Sequence, residues 1–316
     1  MTGRCVICGS QGWTYVHEYR GYLCRDHYQR YIEAKVDRCI KRQGLLNGVD
    51  KVLIALSGGK DSSVLAVVMK KLYSWRIRLA GLHIDLGIPG YSESARKSVL
   101  ELSNRIELPI EIVKLQDYGF TIKEAADLYR KGVFNRPPCS VCGTVKRYLI
   151  NLYAYEKGFE AIATGHNLDD LLLFSSMDIV TGDVTSLSKL LPRQDEGHPK
   201  LVPRIRPLCL LTNRETELYT KAAELPVSRE KCPYKPPPRR LRSVLSEELD
   251  SIEEKVRGFK HMYAASLWSS IIPSLSIGKP VLRECSICGM PSSGRVCSFC
   301  RIRESLRNTG YKERFL

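Results

Sequence analysis

Apolar residues recur along this chain with two alternating periods. Short β-branched or apolar runs at 51–56, 77–84, 109–115 and 160–164 predict strands. Apolar positions three or four apart predict helices over 62–73, 92–105, 122–131, 141–157 and 168–179. An earlier helix is expected over 28–43 from the spacing of Tyr28, Tyr31, Ile32, Val36 and Ile40, with Gly44 as its stop. Strand–helix alternation from 50 to about 230 predicts an α/β fold, a doubly wound parallel sheet. Ligands in such sheets bind beyond the carboxyl ends of the strands. Three segments should therefore converge there: 57–62, His83-Ile84-Asp85, and 164–170. Residues 233–240 contain three consecutive prolines, which impose an extended path and mark a linker. A helix is expected after it, over about 241–258, and then a less regular stretch. The expected units are 1–30, 31–232, 233–280 and 281–316.

Composition changes this picture in two ways. Lys and Arg number 49 against 34 Asp and Glu, a net charge of +15. Such an excess calls for a polyanionic partner, most simply a nucleic acid. No apolar run approaches the roughly 18 residues of a membrane span, and Met1-Thr2-Gly3-Arg4-Cys5 carries no apolar signal core. A cytoplasmic protein without membrane contact is expected, and its 12 cysteines then point to metal before disulfides.

The cysteine spacing supports metal. Cys5-x2-Cys8 and Cys24-x2-His27 have zinc-ribbon spacing, and so do Cys285-x2-Cys288 and Cys297-x2-Cys300. Each set predicts one structural Zn²⁺ that supplies folding energy to a segment too small for a core of its own. His17 is expected to be a surface or packing residue, and Cys39 a small buried side chain. A third group is less determinate. Cys139-x2-Cys142 lies far from any second pair, and Cys232 is the remaining candidate. The pair is compatible with a redox disulfide, with half a zinc site, or with part of an iron–sulfur cluster. Three thiolates can hold a [4Fe–4S] cluster and leave its fourth iron open.

The densest chemistry lies in Ser57-Gly58-Gly59-Lys60-Asp61-Ser62. It follows a predicted strand and opens a predicted helix. Glycines admit a phosphate to the backbone, and the helix start points N–H groups at the anion. Lys60 adds a positive charge, Ser57 and Ser62 add hydroxyl donors, and Asp61 can orient Mg²⁺ or a neighbouring backbone amide. The loop is too short for the Walker pattern. It resembles the PP-loop, S-G-G-x-D-S, of the N-type ATP pyrophosphatases, which release pyrophosphate and leave AMP on a carbonyl oxygen of the substrate.

The joint pattern is more specific. It comprises this loop, Leu82-His83-Ile84-Asp85, Arg136 to Arg147 with its Pro-Pro-Cys-Ser-Val-Cys-Gly core, Ala163 to Asp170, Cys232-Pro233 and two flanking ribbons. It resembles the TtuA-type tRNA 2-thiouridine synthetases over nearly the whole chain. The resemblance implies a [4Fe–4S] cluster on Cys139, Cys142 and Cys232, and catalytic roles for Lys146 and Asp170. It implies tRNA as substrate, ATP and Mg²⁺ as cofactors, and a homodimer. The sulfur source is a ubiquitin-like protein thiocarboxylate or free sulfide. Ser57, Gly58, Gly59, Asp61 and Ser62 are expected at the β and γ phosphates, and His83, Asp85 and Gly165 around the adenosine. Lys60 and Lys146 would stabilise developing charge. Asp170 would act as a base or align Lys146, and Asp169 is weighed as a helix-start acid. The Pro-Pro-Cys form favours the T-loop uridine. The alternatives are the wobble uridine and a PP-loop tRNA ligase that does not thiolate. Leu171-Leu172-Leu173 departs from the pattern, where an acidic or small residue would be expected first. Arg239, Arg240 and Arg242 are candidate tRNA contacts.

Overall fold

The computed structural model describes residues 3–195, 197–237, 240–275 and 281–308. Arg239 lies outside the described residues. The chain opens with a hairpin, β1 (Thr14–Val16) and β2 (Gly21–Leu23), and passes into α1 (Arg25–Arg42). Then come β3 (Lys51–Leu56), α2 (Lys60–Tyr73), β4 (Arg78–Asp85), α3 (Tyr91–Ile106), β5 (Ile110–Lys114), α4 (Ile122–Arg130) and α5 (Pro138–Glu156). The second half contains β6 (Ala161–Ala163), α6 (Leu168–Thr181), the single turn α7 (Val184–Leu187), β7 (Arg193–Gln194), β8 (Arg204–Ile205) and α8 (Asn213–Ala222). The end is helical, with α9 (Arg240–Lys255), α10 (Phe259–Ser266) and the short α11 (Ile272–Ser274). A last hairpin, β9 (Arg283–Glu284) with β10 (Pro291–Ser292), precedes α12 (Ser298–Arg307).

The central sheet has the order β5-β4-β3-β6-β8-β7. Its first five strands are parallel. The last, β7, pairs antiparallel with β8, so the sheet is mostly and not wholly parallel. Chain order reverses direction between β3 and β6, which makes their carboxyl ends the topological switch point. Residues of β3 alternate between two buried faces. Val52, Ile54 and Leu56 enter the core beneath α1, α2 and α8, and Leu53 enters the core beneath α4, α5 and α12. Burial on both faces explains why this strand reads as a continuous apolar run.

Both terminal segments pack onto the domain. Cys5, Val16 and Leu23 join the first core, and Cys285, Phe299 and Ile302 join the second. Phe299 stacks on Tyr148 of α5 with centroids 3.9 Å apart and planes at 5°. Lys200 ties the last hairpin through Glu284 (2.6 Å) and the carbonyl of Gly289 (2.9 Å). His17 is exposed, edge-on to Tyr15 and bonded by Arg257 at 2.9 Å. Cys39 and Cys209 are both fully buried, with Sγ atoms 3.2 Å apart. Among the described residues, no helix is long and apolar enough to cross a membrane.

Candidate active site

The loop after β3 is held in shape by its own hydroxyls. Ser62 donates to the carbonyl of Gly59 (2.9 Å) and accepts from the Ser57 amide (3.2 Å). Ser57 Oγ lies 3.0 Å from Ser62 Oγ and accepts from the Gly59 amide at 3.3 Å. Gly59 caps α2 without a side-chain bond, so that helix start presents its amides to the cleft. The two glycines answer different demands. Gly58 has φ +81°, and a Cβ there would stand 2.9 Å from the backbone of Ala95 in α3. At Gly59 a Cβ would meet only Ser57 Oγ, at 3.5 Å. Gly165, after β6, is needed for close approach, because its Cβ would reach Ser62 N at 2.9 Å and Asp61 C at 3.0 Å.

A cleft of about 1360 Å³ opens over the switch point. Ser57, Gly59, Asp61 and Ser62 line it on one side, with His83, Gly165 and Lys146. Gly58, Lys60, Asp85 and Asp170 are not on its wall. Lys60 instead reaches Asp61 (2.7 Å), Asn213 (3.0 Å) and Thr216 (2.9 Å), which turns it toward α8. Asp85 accepts from the Gly87 amide (3.0 Å) and closes the turn after β4. Asp170 lies behind the loop, where burial and the charge of Asp61 push its carboxyl up. Asp169 is ion-paired with the buried Lys260, which also holds Asp250. Leu171 and Leu172 are fully buried on the core face of α6, a packing reason for the apolar run there.

His83 is buried, and its Nδ1 lies 2.9 Å from the Leu56 carbonyl, so that nitrogen carries the hydrogen. Burial holds its pKa down. His166, 3.0 Å from Thr164 Oγ1, is held down to about 4 by burial and by Arg206 and Arg204.

Asn167 had no signal in the sequence beyond its place before two acids. It is fully buried. Its Oδ1 caps α6 by accepting from the Asp170 amide (3.0 Å), and its Nδ2 donates to Asp61 (3.1 Å) and Asn213 (2.9 Å). One side chain thus joins the phosphate loop, α6 and α8.

Another part of the wall belongs to α5, through Gly143, Thr144, Lys146 and Arg147, whereas Cys139, Cys142 and Cys232 are not on it. This helix begins at Pro138, three residues before the expected 141, so Cys139 and Cys142 both lie in its first turns. Pro137 caps it without a side-chain bond. An uncapped helix start favours thiolates there. Cys139 Sγ contacts the carbonyl of Tyr234 at 3.4 Å, and Cys232 is within electrostatic reach of both cysteines. Burial pushes the Cys142 thiol up, opposed by Lys146 one turn on. Lys146 has no hydrogen-bond or ion-pair partner among the described residues. The strap leading to Cys232 also touches the phosphate loop, since the Ser228 amide donates to the Gly58 carbonyl (2.9 Å). Arg242 lines the same cleft with its guanidinium 5.4 Å from the ring of Phe174. Arg240 begins α9 and is exposed.

The four ligand atoms of Cys5, Cys8, Cys24 and His27 lie within 4.8 Å of one another, as do those of Cys285, Cys288, Cys297 and Cys300. Sγ atoms are 3.8 Å apart for Cys8 and Cys24, and 3.7 Å for Cys288 and Cys297. Zinc–sulfur bonds of 2.3 Å in a tetrahedron give an edge of about 3.8 Å. Burial opposes ionisation of Cys5 and Cys285, yet backbone N–H donors bring both thiols down to about 6. Cys139, Cys142 and Cys232 are not gathered this closely. Three thiols are the donor set of a [4Fe–4S] cluster with one position not filled by the protein.

An α/β domain with a Ser-Gly-Gly loop at its switch point defines a PP-loop nucleotide-binding protein, and a family model of the PP-loop domain (ATP_bind_3) matches residues 28–230. The tRNA-5-methyluridine(54) 2-sulfurtransferase of Pyrococcus horikoshii is 38% identical over 305 residues, covering 94% of this chain and 93% of that one. Its namesake in Thermus thermophilus is 33% identical, covering 99% and 94%. The solved U34-tRNA thiolase NcsA of Methanococcus maripaludis, with its [4Fe-4S] cluster, superposes with a TM-score of 0.78 at 28% identity, covering 98% and 97%. The chain belongs to the tRNA 2-sulfurtransferases of the PP-loop family.

Proposed function

We propose that this chain replaces the C2 oxygen of the T-loop uridine of tRNA with sulfur in two steps on one cleft. The observation that carries the reading is one cleft lined both by the phosphate loop at the start of α2 and by Lys146 of α5, the helix whose first turns carry Cys139 and Cys142.

In the first step the uridine O2 attacks the α phosphate of ATP, and pyrophosphate leaves. Ser57, Gly59, Ser62 and the α2 amides hold the β and γ phosphates, and Asp61 faces the cleft where Mg²⁺ would sit. The free ammonium of Lys146 is the charge placed to offset the growing negative charge on the α phosphate. Lys60 acts from behind, by fixing Asp61. Asp170 holds the same network from α6. In the second step sulfur enters at C2, and AMP leaves. A [4Fe–4S] cluster on Cys139, Cys142 and Cys232 would supply a Lewis-acidic iron for the incoming sulfur. The sulfur is drawn from free sulfide or from the C-terminal thiocarboxylate of a ubiquitin-like protein. Each quartet of ligands holds one Zn²⁺. The expected homodimer is checked by light scattering.

Position 54 is favoured by the names of the relatives at 38% and 33% identity, and position 34 by the solved structure at 28%. Anaerobically purified protein is given unmodified tRNA, ATP and sulfide, and the product is mapped. Sulfur in the T-loop, with AMP formed in equal amount, is expected. Sulfur in the anticodon loop would move the assignment to the wobble uridine. A Cys139→Ala protein with undiminished iron and activity would overturn the role of the cysteines.

A further inference from the structure

Two of the 12 cysteines take no part in the metal quartets or in the set of three beside the cleft. Cys39 lies in the last turns of α1, and Cys209 in the turn between β8 and α8. They are 170 residues apart in the chain, yet their Sγ atoms stand 3.2 Å apart. Both side chains are fully buried in the core beneath α1, α2 and α8. Neither lines the cleft. Among the described residues no third Cys, His, Asp or Glu joins them, so the pair lacks the ligands of a metal site. Burial, together with the Cys39 sulfur beside it, pushes the Cys209 thiol up, so it stays protonated and unreactive while the core is closed.

Packing alone asks for a small apolar side chain at each position and does not ask for two facing sulfurs. A disulfide is about 2.05 Å long, so each Sγ has only about 0.6 Å to move. We infer that Cys39 and Cys209 are a modification site, a dithiol that closes to an intrachain disulfide. The bond fastens α1 to the turn that precedes α8, and all six strands of the central sheet lie inside the ring it closes. The same turn holds the start of α6, because the Leu211 carbonyl accepts from the Leu168 amide (2.8 Å). Closing so long a loop removes much of the freedom of the unfolded chain. The oxidant is a small disulfide. One cysteine thiolate attacks a sulfur of the oxidant, and the first oxidant thiol leaves, taking up the proton that the cysteine lost. The other cysteine thiolate attacks the protein sulfur of the mixed disulfide, and the second oxidant thiol leaves with the second proton. The cysteines give up two electrons, and the oxidant is reduced to two thiols. Exchange takes place while the pair is open, as the chain folds or in local unfolding. Once buried, the bond is out of reach of thiolates in solvent, so it persists even in a reducing compartment, where disulfides are otherwise rare.

The test uses the full-length zinc-loaded protein. It is warmed to the onset of melting with oxidised glutathione and quenched in acid. It is then unfolded with a chelator and iodoacetamide, digested and mapped by mass spectrometry. A peptide pair joined through Cys39 and Cys209 is expected, two hydrogens lighter than the two thiol peptides together. The oxidised protein should melt about 10 °C above protein kept under a phosphine reductant throughout. Cys39→Ala and Cys209→Ala should each abolish the linked pair and the melting gap. Both should leave ATP affinity unchanged, because neither residue lines the cleft. Alkylation of both cysteines after oxidation, with no melting gap, would overturn the cross-link and leave a packed pair of thiols. Pairing of either residue with a different cysteine would overturn it too, as would a melting gap that survives in both variants. These readouts do not involve thiolation, so the cross-link and the sulfurtransferase reading stand or fall separately.

Discussion

Replacing Asn167 with alanine should damage both stability and ATP binding, although nothing about this residue suggests contact with substrate. The side chain is fully buried and makes three bonds. Loss of the cap on α6 costs about 1 kcal/mol. Losing the bond to Asn213 costs about 1 kcal/mol, and losing the bond to the charged Asp61 about 2 kcal/mol. The total, about 4 kcal/mol, is a large share of the roughly 5–15 kcal/mol that holds a folded domain. At about 2–4 °C per kcal/mol, the melting temperature should fall by about 10 °C. Asp61 also loses the donor that fixes it beneath the cleft, so ATP affinity should drop in protein that is still folded at 25 °C. Asn167→Asp separates the two effects. It keeps the cap, because aspartate caps as well as asparagine. It also sets a carboxylate against Asp61, so ATP–Mg²⁺ binding should suffer more than stability. Calorimetric melting of the zinc-loaded protein and ATP titration read both quantities. A melting temperature lowered by less than about 3 °C in Asn167→Ala, with ATP affinity intact, would refute the assignment of Asn167 as the joint of the site.

Gly165→Ala should cost about 1–3 kcal/mol by overpacking against the Asp61–Ser62 backbone, whereas Gly59→Ala, with only Ser57 Oγ at 3.5 Å, should leave the urea midpoint nearly unchanged. His166 carries a pKa of about 4 in the fold against about 6.5 unfolded. The unfolded chain therefore binds the extra proton between these values, so stability is full above about pH 6.5 and falls as the pH drops toward 4. His166→Gln should flatten that part of the stability–pH curve, and an unaltered curve would assign the loss to other groups. Cys300→Ser should reduce bound zinc from two ions per chain to one by elemental analysis. It should also lower the melting temperature through α5, because Phe299 beside it stacks on Tyr148. Retention of two zinc ions would count against that quartet.

The features legible in the sequence were those written in consecutive residues. The glycine pair after an apolar run, the paired cysteines and the strand–helix alternation each describe a few covalently linked positions. Their geometry follows from backbone freedom, ligand spacing and burial. Side-chain direction was less legible. Lys60 reads as a charge for the phosphates, yet its ammonium is drawn to Asp61, Asn213 and Thr216, the last two about 150 residues away in the chain. Asp85 reads as part of the backbone around the adenosine, and the sequence gives no sign that its carboxylate closes the turn after β4. The antiparallel β7 is two residues long, too short for any periodicity to register.

Consecutive residues of the chain specify a doubly wound α/β domain, a phosphate loop after its central strand and two quartets of Cys and His spaced as metal ligands. Local spacing is enough for each of these. Only the tertiary structure decided what stands opposite the loop. It set Lys146 of α5 on the wall of the same cleft that Ser57, Asp61 and Ser62 line. It led the strap past Gly58 toward Cys232 and tied the phosphate loop to α6 and α8 through Asn167. These groups lie tens to more than a hundred residues apart. Their meeting is fixed by which faces of the sheet and helices must be buried together, and no local pattern in the chain records that.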